Sequence, residues 1–280
     1  MSHTIIFMDV DGTLCDDTGR VPESAAMAIK AARKNGHLVY LCTGRSKSEL
    51  NEEIMSIGFD GLIGAGGGYV ESNGEVLSHL KFEKETMLDL IDFLDENGVA
   101  YYLESNDGLF SSKNCVSTMN EIVFSDIDQA SEDYQSLRST LDVFCSYLTE
   151  KNDSIDYSTI NKVSFINNQV PFGVVQEKFG TEFNVMRSTV PVFGKDSGEI
   201  VLKGIHKGVA ITQLLEHLNE EVSRTMAYGD AHNDIEMFEL VNVGVAMGNA
   251  SEDLKKIADD LTTAHNQDGI YQSFKKYQLI

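Results

Sequence analysis

Hydrophobic and polar positions alternate in two ways along the first part of the chain. Short apolar runs that end in polar residues are separated by stretches whose apolar positions recur at helical spacing. The runs starting at Ile5, at His37 and near 62–63 predict buried strands, and the stretches near 22–32 and 46–57 predict helices. Strands alternating with helices are typical of a parallel sheet with right-handed crossovers. The pattern therefore predicts an α/β fold with a Rossmann-like parallel-sheet core and helices on both faces.

A glycine-rich segment, 64–68, follows the third predicted strand. Such a loop can bind a dinucleotide, but this one lacks the third glycine of the GxGxxG pattern. The residues after it, 69–77, are typical of a β-hairpin that turns at Asn73 and Gly74 rather than of a helix. We therefore interpret the glycines as sites of close backbone packing and not as a nucleotide loop.

The pattern changes at about residue 83 and changes back near 190. Between these points further helices and strands are predicted near 85–96, 99–104, 162–166, 170–179 and 181–186. A segment of this length with its own elements is too long to be a loop. We predict a second, inserted α/β domain over 83–190, with the two parts of the core at 1–82 and 191–280.

The alternation of strands and helices resumes after the predicted insertion. The expected elements lie near 199–202, 206–218, 225–229, 235–240, 241–246, 252–258 and 261–263, followed by a last helix through Tyr271 and Phe274. The stretch 206–218 is clearly amphipathic, as expected for a helix that packs on a sheet. These elements would complete the core.

The net charge restricts the possible partners of the protein. The 280 residues include 22 basic and 44 acidic side chains, which give a formal net charge of −22. Such a surface repels nucleic acid and anionic membranes, so we expect neither as a partner. It also repels a phosphorylated substrate. A phosphate site would therefore need local positive charge from a metal ion or a lysine.

The four cysteines, Cys15, Cys42, Cys115 and Cys145, form no CxxC pair and show no spacing typical of a zinc site. The N-terminal residues lack the basic segment of a signal peptide, and no apolar run approaches the ~18 residues of a membrane span. We expect a cytoplasmic protein with reduced thiols.

Polar side chains collect where the predicted core strands end and where one helix begins. They belong to Asp9, Asp11, Thr43, Arg45, Lys207, Asp230, Asn233 and Asp234, and Gly44 adds a backbone amide. The carboxyl ends of parallel strands share one edge of the sheet, so we expect these groups to meet there. Each has an ordinary explanation when taken alone, such as a solvated turn, a helix cap or a solvated lysine. Their shared position favours a functional site.

The residue types indicate which chemistry such a site would support. Two carboxylates two residues apart, Asp9 and Asp11, suit a cation, a nucleophile, or a nucleophile beside a proton shuttle. The carboxylates of Asp230 and Asp234 are suited to bind Mg²⁺. A cation bound by such oxygen atoms needs no imidazole ligand, so we expect His232 to pack or to face solvent. A positive charge at the start of a helix, such as that of Lys207, destabilises the helix by typically ~0.3–1 kcal/mol unless an anion lies nearby.

Four segments closely resemble, in order, the four motifs of haloacid dehalogenase-like phosphatases: 9–14 (DVDGTL), 43–45 (TGR), Lys207 and 229–234 (GDAHND). The position of the insertion resembles that of the Cof-type branch, whose α/β cap belongs to the second cap class. The segment 266–270 is also similar to the ending of that branch. The triplet 66–68 departs from the Asn-Gly-Ala that these proteins often carry.

The resemblance implies a role for each candidate residue. Asp9 would be the nucleophile, and Asp11 the acid that protonates the leaving oxygen and then the base that activates water. Mg²⁺ would be held by Asp9, the Asp11 backbone carbonyl and Asp230, with Asp234 in or just behind the coordination shell. The phosphoryl oxygens would be bound by Thr43, Gly44, Lys207 and Asn233. Arg45 would be either a further ligand or a structural ion pair.

The activity implied is that of a Mg²⁺-dependent phosphatase acting on small phosphorylated metabolites such as sugar phosphates, whose cap selects the leaving group. Arg187 and Ser188 are candidates for substrate contact, or else form a plain linker. A phosphomutase or phosphotransferase on the same core stays open as an alternative. A receiver-like switch would need no cap and is disfavoured by the length of the chain. A member that binds phosphate without turnover is disfavoured by the complete set of acids.

Overall fold

The computed structural model describes residues 3–16, 19–125, 127–151, 155–188 and 190–280. The chain forms two compact units. The first, called the core unit below, comprises Met1–Arg45, Leu50–His79 and Ile205–Ile280. The second, called the inserted unit, comprises Ser46–Glu49 and Leu80–Gly204. Across the described ranges, no helix has the length and apolar composition that crossing a membrane requires.

The elements are numbered in chain order. The chain begins with β1 (Ile5–Met8), α1 (Glu23–Lys34), β2 (Leu38–Cys42), α2 (Glu52–Met55), β3 (Gly61–Gly64), β4 (Tyr69–Ser72) and β5 (Glu75–His79). It continues with α3 (Lys84–Glu96), β6 (Ala100–Glu104), β7 (Leu109–Ser111), α4 (Cys115–Phe124), α5 (Glu132–Tyr147), β8 (Leu148–Glu150), β9 (Lys162–Ile166), α6 (Phe172–Phe179), β10 (Phe183–Arg187) and β11 (Gly198–Leu202). The last elements are α7 (Lys207–Leu218), β12 (Thr225–Gly229), α8 (Ile235–Leu240), β13 (Val243–Ala246), α9 (Glu252–Ile257), β14 (Asp260–Leu261) and α10 (Gly269–Lys276).

The core unit is built on an eight-stranded sheet in the order β14-β13-β12-β1-β2-β3-β4-β5. The first six strands are parallel, and β4 and β5 add an antiparallel hairpin. Side chains alternate across β1, so that Ile6 and Met8 pack with α1 and α10, while Ile5 and Phe7 pack with α7. The predicted parallel α/β core with helices on both faces is confirmed.

The inserted unit has its own six-stranded sheet, in the order β10-β11-β9-β6-β7-β8. Its β11 pairs antiparallel with both β10 and β9. The apolar pattern predicts this strand, near 199–202, but as part of a core that resumes at 191. The inserted unit instead extends to Gly204. An apolar run of this length fits either sheet, and only the long-range pairing decides between them.

The helix predicted over 46–57 is interrupted. The structure has a single 3₁₀ turn, Lys47–Glu49, and then the short α2. Asn51 lies between them in an extended conformation, and its side chain accepts a hydrogen bond from the Ile54 amide. Asparagine is among the preferred N-cap residues, so α2 begins anew at this point instead of continuing the turn.

The glycine-rich segment is a site of close backbone packing, as predicted. Ala65–Gly67 form a 3₁₀ turn that leads into the antiparallel strand β4. Gly67 has a φ of +112°, and a Cβ atom on it would lie 2.6 Å from the carbonyl oxygen of His206. His206 precedes the first residue of α7, so the glycine allows the turn to approach the start of that helix.

Candidate active site

The site is built at the carboxyl end of β1, the central strand of the parallel core. Met8 is paired with Leu41 of β2 on one side and with Tyr228 of β12 on the other. The register continues one residue further, because the Asp9 amide donates to the Tyr228 carbonyl at 3.0 Å. The polar residues after these three strands are therefore brought to one edge of the sheet, as the sequence predicted.

Gly12 allows the loop after β1 to pass close to Asp230. Its φ is +73°, and a Cβ atom there would lie 2.3 Å from Oδ2 of Asp230. Thr13 Oγ1 donates to Asp230 Oδ1 at 3.2 Å, and Asn249 Nδ2 donates to the Gly12 carbonyl at 2.8 Å. The loop is thereby fixed to the residues that follow both β12 and β13.

Lys207 connects two of the candidate carboxylates. Its Nζ lies 2.6 Å from Oδ1 of Asp9 and 2.6 Å from Oδ1 of Asp234. All three side chains are buried, and Lys207 is only 2% exposed. The unfavourable position of this cation at the start of α7 is therefore offset by two carboxylates, and the solvated alternative is wrong.

Asp234 also holds the loop that carries Asp230. Its Oδ2 accepts hydrogen bonds from the amides of Asp230 and Ala231, at 3.0 and 3.1 Å. Gly229 makes this possible, because a Cβ atom there would lie 2.6 Å from the Asp234 carboxylate. Both carboxylate oxygens of Asp234 thus have protein donors, one from Lys207 and one from the loop.

The site holds more negative charge than its lysine can balance. Burial, and then the charge of Asp234, raise the pKa of Asp9 well above its usual value, although Lys207 acts in the opposite direction. The same two causes raise the pKa of Asp230 to about 7. Burial lowers the pKa of Lys207, but Asp234 and Asp9 outweigh this effect and keep the lysine charged.

Three carboxylates, buried or half-buried, lie close enough together to hold a metal ion. Oxygen atoms of Asp9, Asp230 and Asp234 all lie within 4.8 Å of one another. A set of carboxylate oxygens is the donor set that hard cations such as Mg²⁺ prefer. The raised pKa values of Asp9 and Asp230 fit this interpretation, because a bound cation would stabilise their charged forms.

Asp11 does not join this cluster but pairs with Arg45. Arg45 Nε donates to Oδ2 of Asp11 at 2.9 Å, and the Arg45 Nη2 atom lies 2.5 Å from Oδ1. The Asp11 side chain is 64% exposed, whereas that of Arg45 is 23% exposed. Of the two roles considered for Arg45, the structure shows the ion pair, and its partner is the predicted acid.

The remaining phosphate-binding candidates lie at the adjoining strand ends. Thr43 is buried, and its Oγ1 accepts a hydrogen bond from the Arg45 amide at 3.1 Å. Asn233 is exposed, and its Nδ2 lies 3.8 Å from where a Cβ atom on Gly44 would be. His232 faces solvent, as expected. The structure therefore brings Gly44 and Asn233 together across the same edge of the sheet.

Two features of the site escaped the reasoning from sequence. One is Asn249, whose position just after β13 at the same sheet edge was the available signal. The other is the pairing of Arg45 with Asp11.

In the inserted unit, the guanidinium of Arg187 lies 4.4 Å from the ring centre of Phe172 and donates to the Lys195 carbonyl. Arg187 thus has a structural role that does not require a substrate.

Comparison with known proteins identifies the family. Residues 6–274 match the family model of the haloacid dehalogenase-like hydrolases. The chain belongs to this family. It is 26% identical to phosphatase YwpJ of Bacillus subtilis (strain 168), over 97% of this chain and 98% of that protein. It is therefore a haloacid dehalogenase-like (HAD) hydrolase, and this relative is named as a phosphatase.

Two further matches show how far the similarity extends. The chain is also 28% identical to the chloroplastic endoribonuclease YBEY of Arabidopsis thaliana, over 97% of this chain but only 46% of that protein. It thus spans less than half the length of that relative. A solved haloacid dehalogenase-like hydrolase from B. subtilis superposes with a TM-score of 0.79 at 21% identity, covering 97% of this chain and 99% of the other. That likeness supports the fold.

Proposed function

We propose that this HAD-like hydrolase acts as a phosphatase on small phosphorylated metabolites, such as sugar phosphates, with Mg²⁺ and through an aspartyl-phosphate on Asp9. The observation that carries the proposal is the buried contact of Asp9 with Lys207 at the end of the central strand. A carboxylate can attack an anionic phosphoryl group when a buried cation beside it offsets the negative charge. Lys207 is such a cation for Asp9. A solvated turn would leave Asp9 exposed.

We assign the residues that would hold Mg²⁺ by asking which oxygen atoms do not already accept a hydrogen bond from the protein. Asp9 and Asp230 would supply carboxylate oxygens, and Asp11 its backbone carbonyl. Both oxygens of Asp234 already accept protein hydrogen bonds, so we assign it the task of orienting Lys207 and the Asp230 loop. When bound, the ion would reduce the repulsion between these carboxylates and the phosphoryl oxygens.

In the first step an Asp9 oxygen would form a bond to phosphorus while the bond from phosphorus to the leaving oxygen breaks. Asp11, in its protonated form, would transfer its proton to that leaving oxygen. Lys207, the Gly44 amide, the Thr43 hydroxyl and Asn233 would bind the phosphoryl oxygens. In the second step a water oxygen would bond to phosphorus and the bond to Asp9 would break. The water proton would pass to the Asp11 carboxylate, so that Asp9 is released as a carboxylate and Asp11 is again protonated.

The proposal is tested with p-nitrophenyl phosphate. We expect hydrolysis in Mg²⁺ that stops when a chelator is added and resumes with fresh Mg²⁺. Asp9→Asn is expected to lower kcat by about 10³-fold or more while leaving the circular dichroism spectrum unchanged. Retained activity in that variant would exclude the aspartyl-phosphate. Phosphate release from a panel of phosphorylated metabolites would identify the substrate class, and phosphosugar isomerisation without phosphate release would indicate a mutase instead.

A further inference from the structure

Arg45 makes a bidentate contact with the carboxylate of Asp11, the residue to which the proposed function assigns the roles of acid and base. Two different nitrogens of the guanidinium each reach a different oxygen of Asp11, at 2.9 and 2.5 Å. A planar guanidinium that engages both oxygens fixes the plane of a carboxylate, which a single donor cannot do. The contact therefore determines the orientation of Asp11 and not only its charge.

Arg45 is the better anchored of the two residues. Its amide donates to Thr43 Oγ1 at 3.1 Å, and its carbonyl accepts from the Ala65 amide at 2.7 Å. These bonds tie its backbone to the end of β2 and to the glycine-rich turn. Asp11, by contrast, lies on the loop after β1 with most of its side chain exposed. An exposed carboxylate on a loop would sample several rotamers without such a contact.

We infer that Arg45 is a positioning residue, which orients Asp11 for proton transfer to the leaving oxygen. In the acid form one oxygen of Asp11 carries the proton, and the other keeps its contact with Arg45. This inference rests on the proposed role of Asp11. Proton transfer needs a heavy-atom distance of about 2.6–3.2 Å, so an acid that swings freely would be in place only part of the time. Arg45 would then act on the rate through Asp11 and not by contact with the substrate.

The decisive variant is Arg45→Lys, which keeps the positive charge but cannot make the planar bidentate contact. The measurement is kcat/KM for p-nitrophenyl phosphate and for phenyl phosphate, with Mg²⁺ present. Phenolate is the poorer leaving group and depends more on protonation as its bond to phosphorus breaks. We expect kcat/KM to fall by about tenfold or more for phenyl phosphate and by less than about threefold for p-nitrophenyl phosphate.

Arg33 provides a matched control in the core unit. It contacts Asp60 with the same two nitrogens, at 3.0 and 2.9 Å, and lies outside the candidate site. Arg33→Lys should therefore change stability without changing the ratio of the two kcat/KM values. An equal loss for both substrates in Arg45→Lys would overturn the inference, because it would indicate phosphate binding or a general structural role.

Asp11→Asn separates failure of the inference from failure of the proposed function. We expect it to lower kcat/KM more for phenyl phosphate than for p-nitrophenyl phosphate, and adding Arg45→Lys to it should have no further effect. If Asp11→Asn changes neither value, the role of Asp11 as acid fails, and the inference fails with it. If Asp11→Asn behaves as expected but Arg45→Lys lowers activity equally in both backgrounds, only the inference is overturned.

Discussion

Replacing Lys207 by methionine tests whether the buried ion pairs stabilise the fold as well as the site. Methionine has a similar length and no charge, so Lys207→Met removes the cation from between Asp9 and Asp234 without leaving a large cavity. Both carboxylates are buried, and Lys207 Nζ lies 2.6 Å from an oxygen atom of each. Removing one partner of a buried ion pair leaves an uncompensated charge and costs about 3–5 kcal/mol.

This cost converts to a large change in melting temperature. For a domain of about 150–250 residues, 1 kcal/mol lowers Tm by roughly 2–4 °C, so Lys207→Met should lower Tm by about 6–20 °C. The assay is thermal unfolding followed by circular dichroism, with a chelator present so that no metal replaces the lysine. Lys276→Met is the control, since Lys276 pairs with Asp260 at the surface and such pairs contribute about 1 kcal/mol or less.

The effect should also depend on pH. Burial raises the pKa of Asp9 above its unfolded value of about 4 even with Lys207 present, and removing the lysine raises it further. The folded variant then binds more protons than the unfolded chain, so its stability falls as the pH rises above about 4. The Tm difference from the wild type should be smaller at about pH 5.5 than at about pH 8. Equal decreases in Tm for Lys207→Met and Lys276→Met would refute the reasoning.

Two further predictions concern the loops around Asp230. Gly12→Ala should lower kcat at least about tenfold, because its Cβ would displace the Asp230 carboxylate. Gly74→Ala is the control, with a φ of +83° but open space around it, and an equal decrease in kcat would contradict a specific clash. Asp230→Asn should abolish the rise in Tm caused by Mg²⁺, which corresponds to about 2.7 kcal/mol at a hundred times Kd. Asp253→Asn, at an exposed surface pair, should retain that rise, and a rise kept in Asp230→Asn would exclude this ligand.

The sequence predicted the meeting of distant residues where a general rule of sheet architecture applied. Lys207 and Asp9 are 198 positions apart, yet their contact follows from the expectation that parallel strands and the helices between them share one active edge. The apolar runs around Ile5 and Thr225 were enough to locate those strands, because a strand buried on both faces has a strong local signal.

Other features depend on interactions that the pattern of apolar and polar positions does not show. The apolar residues of 46–57 recur at helical spacing, but Asn51 caps a new helix and so interrupts the predicted one. The apolar strand Gly198–Leu202 would fit the core as well as the inserted sheet, and its partners β9 and β10 are chosen by tertiary pairing. The contact between Arg45 and Asp11 is a matter of side-chain conformation, which spacing along the chain does not determine.

The charges assigned to the site connect the fold to the proposed use of Mg²⁺. They are four carboxylates and two cations: Asp9, Asp11, Asp230, Asp234, Lys207 and Arg45. When all are ionised, the site carries two of the 22 excess negative charges of the protein. Burial is the main reason that the pKa values of Asp9 and Asp230 are raised, and the charge of Asp234 raises both further. A divalent cation would cancel the two excess charges of the site before a phosphate dianion arrives, so the metal would be needed to bind substrate as well as to hydrolyse it.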